Sequence, residues 1–329
     1  MQNNNESYTS ANTMPSKLFH NEVFLRGIYQ KNRINPIHLQ LIPTNKCNLK
    51  CSFCSFSDAD KTLELSFDQI DEIFSIGAHL GTKALTITGG GEPLMHPDIN
   101  DIILRSSEYL IEPGLVTNGI LINRLDPYVA DLLTWCRISA SDERILSEKN
   151  EKEILELVEK TENCDWAFSY VIQKRSNLNN IIDYIEIVNS SDKFTHIRLV
   201  RDLLDIYGAT NIEIIKQELI ARKIDISKVI FQSRNEWTHG FKNCWISLLK
   251  PLIGADGYVY GCCGTMYARH DIQHDLVDQF RMGHYSELKD IIKNQKCFNG
   301  SICEKCYYDN YNQCLSAWKT TTLQHENFV

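Results

Sequence analysis

Six short apolar stretches, each separated from the next by a helical pattern, recur between Ile37 and Val200, and nothing else in the chain narrows its possible folds as far. "IHLQLIP" opens the series, and an amphipathic segment beginning at a Ser66 cap follows it. "KALTIT" is the second extended run, and further runs start at Gly114, Cys136, Asp165 and Phe194 with helical segments between them. Strands and helices alternating over about 165 residues predict an α/β fold whose parallel sheet is open or only partly closed as a barrel. Loops at the carboxyl ends of such strands are where these folds do their chemistry.

The loop after the first strand reads "TNKCNLKCSFC", with Cys47, Cys51 and Cys54 at spacing CX3CX2C. No apolar signal core opens the chain and no window is long and apolar enough for a membrane span, so a cytoplasmic location is expected. Twelve cysteines in that compartment are poorly explained by disulfides; metal binding or redox chemistry fits them better. Three readings of the trio stay open: an iron–sulfur cluster, a zinc site and unligated structural thiols. The spacing favours the cluster, because three thiolates leave one iron of a cubane open to another ligand, whereas structural zinc wants four closed ligands.

A second motif follows one β/α unit later. "TITGGGEP" places Gly89, Gly90, Gly91, Glu92 and Pro93 at the end of the second strand, where glycines allow a close backbone approach. Together the cysteine trio, the aromatic Phe53 before its last member and this glycine run resemble the radical S-adenosylmethionine (radical SAM) superfamily. The resemblance covers roughly residues 37–205 and implies a partial (β/α)6 TIM-barrel core within 17–230. It implies a SAM-binding 4Fe–4S cluster on Cys47, Cys51 and Cys54, and the glycine motif as a cradle for the methionine amino group. It also points to SAM contacts at Thr117 and Asn118, at Ser139, Ser141 and Asp142, and at Asn177. The fourth-strand segment departs from the commoner S-x-D form, which leaves open the side chain that meets the ribose. His96, beside the glycines, has two readings, a residue facing SAM and a solvated loop histidine, and the second is favoured.

From about residue 235 the periodicity weakens and seven of the twelve cysteines follow. Cys244, Gly257, Cys262 and the pair Cys303 and Cys306 resemble the SPASM and twitch extensions of the same superfamily. That resemblance implies a cysteine-rich domain over 235–329 with a second, auxiliary 4Fe–4S cluster. Cys314 falls at the wrong distance and Trp318 stands where another cysteine would be expected, so the shorter twitch type with one cluster is favoured. Zinc remains open at this second site as well. Cys297 and Cys314 are left over, Cys136 and Cys164 read as core, and residues 1–16 read as disordered.

The resemblance implies an enzyme that cleaves SAM reductively to a 5'-deoxyadenosyl radical and abstracts a substrate hydrogen. Oxidation of a small metabolite or a peptide, by dehydrogenation or cross-linking, suits an auxiliary cluster, with ferredoxin or flavodoxin as reductant. An epimerase with Cys263 as hydrogen donor is the alternative; a non-catalytic iron–sulfur carrier or scaffold is the alternative from another class. The 34 basic and 42 acidic residues give a net charge of −8, which offers no general attraction to nucleic acid or to an anionic membrane surface.

Overall fold

A computed structural model of the chain describes residues 10–205, 212–232, 238–265 and 276–320. Two helices, α1 (Ser10–Phe19) and α2 (Glu22–Lys31), precede the first strand, so residues 10–16 are helical where disorder was expected. The reason is tertiary: Met14 and Leu18, four residues apart, are both buried against the core that the rest of the chain supplies.

Every expected strand is present. The alternation runs β1 (His38–Leu41), α3 (Phe67–Leu80), β2 (Ala84–Ile87), α4 (Ile99–Glu108), β3 (Glu112–Thr117), α5 (Pro127–Ala130), β4 (Trp135–Ala140) and α6 (Glu148–Glu159). It continues with β5 (Asp165–Ile172), α7 (Leu178–Asn189), β6 (Phe194–Arg201), α8 (Ile212–Ala221) and β7 (Val229–Gln232). All neighbours from β1 to β7 pair in parallel, which gives the partial barrel. The seventh strand exceeds the six of the sequence reading, because its four residues are too few to show a period. Ser66 caps α3 in a reciprocal box with Gln69, as the sequence indicates.

The remaining elements are α9 (Ile246–Leu249) and β8 (Leu252–Ile253), then β9 (Tyr258–Tyr260), α10 (Leu276–Gln279) and β10 (Arg281–His284), and finally α11 (Leu288–Lys293) and α12 (Asp309–Thr320). Strand β8 pairs in parallel with β1, and β9 and β10 add antiparallel strands beyond it. One sheet of order β10-β9-β8-β1-β2-β3-β4-β5-β6-β7 therefore runs across the domain boundary proposed near residue 230. Gly257 turns the β8–β9 hairpin at φ 78°, in the left-handed region, and an added Cβ there would meet His284 at 3.0 Å.

Register and burial separate the two faces of the barrel sheet. Leu115, Cys136, Ile138, Phe168 and Ile197 lie on the helix-facing side and are at most 1% exposed. The opposite side carries Trp135, Arg137 and Ser139 of β4, which alternate with those core residues and are half-buried. Among the described residues, no helix is long and apolar enough to cross a membrane.

Gln295, which follows α11 with φ 50°, ties that segment to the one leading into β1. Its amide accepts from Ile34 N at 2.8 Å and donates to Ile34 O and to Ile292 O, each at 2.9 Å. Gln295→Ala removes the partners of both backbone groups of Ile34, a residue with no exposed surface, and is expected to cost about 1–3 kcal/mol. Urea unfolding measures the cost, and hydrogen exchange should show faster opening at Ile34.

Candidate active site and thiol groups

The three cysteines sit in the loop leaving β1, with Cys51 buried and Cys47 and Cys54 half-buried. The stem of that loop lies directly on the glycine turn that leaves β2. Gly91 N donates to Thr44 O at 3.0 Å, and Glu92 N donates to Lys46 O at 2.7 Å. A Cβ on Gly91 would fall 1.9 Å from Lys46 O and 2.5 Å from the carbonyl carbons of Asn45 and Lys46. Backbone cannot yield as a flexible side chain can, so glycine is required here for closeness rather than for an unusual φ.

Glu92 is 2% exposed and ties the next strand to this turn. Its carboxylate accepts from Leu94 N at 3.0 Å, Thr117 Oγ1 at 2.6 Å and Asn118 N at 2.7 Å. Burial pushes its pKa up, and the three donors oppose the shift. Pro93 opens the short 3-10 turn that Glu92 caps. Asn118 in turn donates to Asn48 Oδ1 at 2.7 Å, back on the cysteine loop.

The loop after β4 clamps the same cysteines from the other side. Ser52 N donates to Glu143 Oε2 at 2.6 Å, and Gln173, just past β5, donates to Glu143 Oε1 at 3.0 Å and to Ser52 Oγ at 3.1 Å. Partial desolvation raises the Glu143 pKa, but the bonds from Ser52 and Gln173 outweigh it and hold the carboxyl below its usual range. Arg144 donates from Nε to Cys51 Sγ at 3.0 Å, and its guanidinium carbon lies 4.8 Å from the centre of the Phe53 ring. The sequence reading missed both Glu143 and Arg144; adjacent charges just after a strand were the only signal.

The other expected SAM contacts divide into two kinds. Ser139 stays on the barrel-facing side of β4, whereas Ser141 has no exposed surface and accepts from Glu143 N at 3.2 Å. Asp142 accepts from Tyr170 Oη at 2.8 Å, Asn177 N at 3.1 Å and Asn180 Nδ2 at 2.7 Å. Asn177 caps α7, its side chain accepting from Asn179 N at 3.0 Å. Ser141, Asp142 and Asn177 thus form the joint between β4, β5 and α7. His96 is 1% exposed rather than solvated: its Nε2 bonds to Leu65 O at 2.8 Å while Nδ1 accepts from Asp98 N. Cys136 and Cys164 are buried, as expected of core.

The second group gathers from three places along the chain. Cys244 precedes α9, Cys262 follows β9, and Cys303 and Cys306 flank a turn before α12. Backbone bonds draw these segments together: Cys244 N to Phe298 O at 3.0 Å, Gly240 N to Cys303 O at 2.9 Å and Cys306 N to Thr238 O at 2.7 Å. Burial pushes the Cys244 thiol up to about 12, with Cys306 a further contributor, and it does the same to Cys303, which also feels Cys244 and Cys306. Cys262 is raised by burial and then by Cys263, Cys244 and Cys303, so each of the four thiols stands within electrostatic reach of others in the set.

N–H groups also point at these sulfurs. Asn312 Nδ2 approaches Cys244 Sγ at 3.6 Å, Gly264 N approaches Cys262 Sγ at 3.3 Å and Tyr308 N approaches Cys306 Sγ at 3.4 Å. Donors aimed at sulfur suit thiolates that a metal has deprotonated, and such bonds also set cluster potentials. Among the described residues, no group of three or more His, Cys, Asp or Glu side chains closes around a single-ion position. A cubane takes one thiolate per iron, and the donors at sulfur suit it: Arg144 is near Cys51, and N–H groups approach Cys244, Cys262 and Cys306. Cys263 does not join the four: its Sγ lies 3.2 Å from Tyr308 Oη. Cys297, half-buried, has Asn243 Oδ1 at 3.9 Å, and Cys314 lies half-buried on α12.

Residues 41–135 match the family model of the Radical SAM superfamily. Among curated proteins, the chain is 38% identical over 103 residues to a probable GTP 3',8-cyclase of Archaeoglobus fulgidus, covering 31% of this chain and 33% of that protein. It is 31% identical over 183 residues to the GTP 3',8-cyclase of Staphylococcus aureus strain JH9, covering 49% of this chain and 53% of that one. The chain thus spans between a third and about half of the length of these relatives. Among solved structures, Streptococcus suis SuiB bound to its precursor peptide SuiA aligns with a TM-score of 0.56 at 17% identity, over 83% of this chain and 72% of SuiB. anSMEcpe with bound AdoMet and the Kp18Cys peptide aligns at 0.54 with 16% identity, over 85% and 88%. At these identities the likeness is one of fold.

Gly91→Ala tests the contact between the two loops. Its Cβ cannot fit, so the loops must part, with an expected loss of about 2 kcal/mol or more in urea unfolding and faster amide exchange over residues 44–54.

Proposed function

We propose that this chain, which carries a radical SAM domain over residues 41–135, is a radical SAM enzyme acting on a substrate held in its partial barrel. The family uses a 4Fe–4S cluster and SAM. Here Cys47, Cys51 and Cys54 would hold that cluster, and Cys244, Cys262, Cys303 and Cys306 an auxiliary one. The observation that carries the reading is the fastening of a three-cysteine loop at the carboxyl end of the sheet by neighbours on every side, from the glycine turn to Glu143 and Arg144.

When bound, the cluster and SAM supply one-electron cleavage of the sulfonium to a 5'-deoxyadenosyl radical that takes a hydrogen atom from substrate. The chain's own residues position and insulate that event. Arg144 places a positive charge against the Cys51 sulfur, which offsets the negative charge of a thiolate-bound site. The Gly89–Gly91 backbone, Thr117 and Asn118, both held by Glu92, and Ser139 on the barrel face would receive SAM. Ser139 is the better candidate for the ribose than Ser141, whose hydroxyl serves the turn.

The auxiliary group belongs beside the substrate. Burial lowers the pKa of Lys305, between Cys303 and Cys306, and Arg201 at the end of β6 adds to the shift, which supports a position for this turn near the carboxyl ends of the strands. Covering that end keeps water from a radical. Two-electron oxidation of a small molecule or peptide, with the auxiliary group as electron outlet, suits the arrangement, and the named activity of the curated relatives adds ring closure to the outcomes. An epimerase reading has one observation in its favour: Cys263 Sγ lies 3.2 Å from Tyr308 Oη, a partner outside the four thiols.

Anaerobic reconstitution should yield about eight irons per chain, four for each cubane. Reduction with SAM present should then release 5'-deoxyadenosine. Cys51→Ala and Cys306→Ala should each lose about four irons, and Cys51→Ala should abolish 5'-deoxyadenosine. A full iron load without 5'-deoxyadenosine would identify a carrier or scaffold; colourless zinc protein would overturn both readings.

Arg144→Gln should move the midpoint potential of the first cluster to more negative values, since it removes a charged donor from Cys51. A redox titration followed by electron paramagnetic resonance reads the shift, and an unchanged potential would reduce Arg144 to a structural clamp.

A further inference from the structure

The barrel-facing side of the sheet brings two guanidiniums to one imidazole. In register, Arg137 of β4 pairs with Ala167 of β5, which pairs with His196 of β6; on the same face, Ser139 pairs with Ser169 and Ser169 with Arg198. The residues on β5 between the arginines, Ala167 and Ser169, are small. Arg198 Nε donates to His196 Nε2 at 3.0 Å, and His196 Nδ1 lies 2.9 Å from Thr195 Oγ1, which donates in turn to Trp166 O. Nε2 is thus the acceptor, and the imidazole is neutral. Its pKa is pushed down to about 3, by burial first and then by Arg198 and Arg137. A neutral ring between two permanent cations fixes a guanidinium plane without cancelling any charge.

The floor below them is aromatic. Trp135 lies against Gly114, where an added Cβ would fall 2.2 Å from the ring, and Arg137 stands over that ring at 5.3 Å. Gln40 shares this rung through Thr86 and Gly114. It is 6% exposed, and its Oε1 has no hydrogen-bond partner among the described residues. A buried acceptor left unmet is costly, and a ligand N–H or O–H would relieve it.

We infer that the barrel interior receives a substrate bearing a carboxylate or phosphate, held by Arg137 and Arg198, with a donor of the same molecule meeting Gln40 Oε1. Guanidinium forks match either oxyanion in two parallel bonds, and Trp135 supplies a flat apolar surface for the part next to it. The inference rests on the barrel being the active site, and it adds the charge class of what enters.

Calorimetry on reconstituted, unreduced protein saturated with SAM tests it, with inorganic pyrophosphate and glutarate as probes. At least one probe should bind saturably, and the one that does identifies phosphate or carboxylate as the natural group. Arg137→Gln and Arg198→Gln should each weaken it about tenfold, and Arg198→Lys, which keeps the charge and loses the fork, by less. Iron content and near-ultraviolet circular dichroism identify any variant that fails to fold, and Arg198→Lys serves in place of one that does. The inference falls if neither probe saturates, if the variants bind as the wild type does, or if the probe merely displaces SAM. Because no turnover is involved, binding without 5'-deoxyadenosine formation would sink the radical reading alone, and the converse would sink this one alone.

Discussion

Everything at the mouth of the barrel depends on one backbone-to-backbone contact, in which the glycine turn after β2 rests on the stem of the cysteine loop. Two hydrogen bonds join them, and an added Cβ on Gly91 would strike the carbonyl oxygen of Lys46. From that contact Glu92 reaches β3, Asn118 returns to the cysteine loop, and Glu143 and Arg144 close the circuit from β4. A three-cysteine loop alone would sample many conformations, and ordering it costs entropy that this circuit offsets. The same buried bonds make the mouth sensitive to single changes, because removing one partner strands the other.

The second thiol group shows a different economy. Four neighbouring cysteines, Cys244 and Cys303 buried and Cys262 and Cys306 half-buried, resist ionisation, through desolvation first and then through one another's charge. A metal bound there would displace the thiol protons, which would couple occupancy of the site to the fold around it. The β8–β9 hairpin adds to the barrel sheet beside β1, the strand that launches the cysteine trio. Both thiol groups are thereby referred to one rigid frame.

Much of this was legible in the chain. Six strands, the Ser66 cap, the cysteine and glycine motifs and the buried Cys136 and Cys164 follow from periodicity, spacing and residue chemistry that local sequence carries. Strand β7 and helix α1 escaped for opposite reasons. Four residues cannot display a period, and a polar segment can still fold when Met14 and Leu18 find a core supplied by the rest of the chain.

What the sequence determined by itself was therefore the alternating α/β plan and the sulfur-rich chemistry, since both depend on neighbours along the chain. Only the tertiary structure decided that Ser141, Asp142 and Asn177 are joints while Ser139 faces the barrel, that His96 is a buried pin, and that Arg144 reaches the Cys51 sulfur. It also set Arg137 beside His196 and Arg198, residues some sixty positions apart whose meeting depends on strand register and on which face each side chain takes. Register is fixed by the packing of every helix against the sheet at once, and no local window of sequence contains that sum.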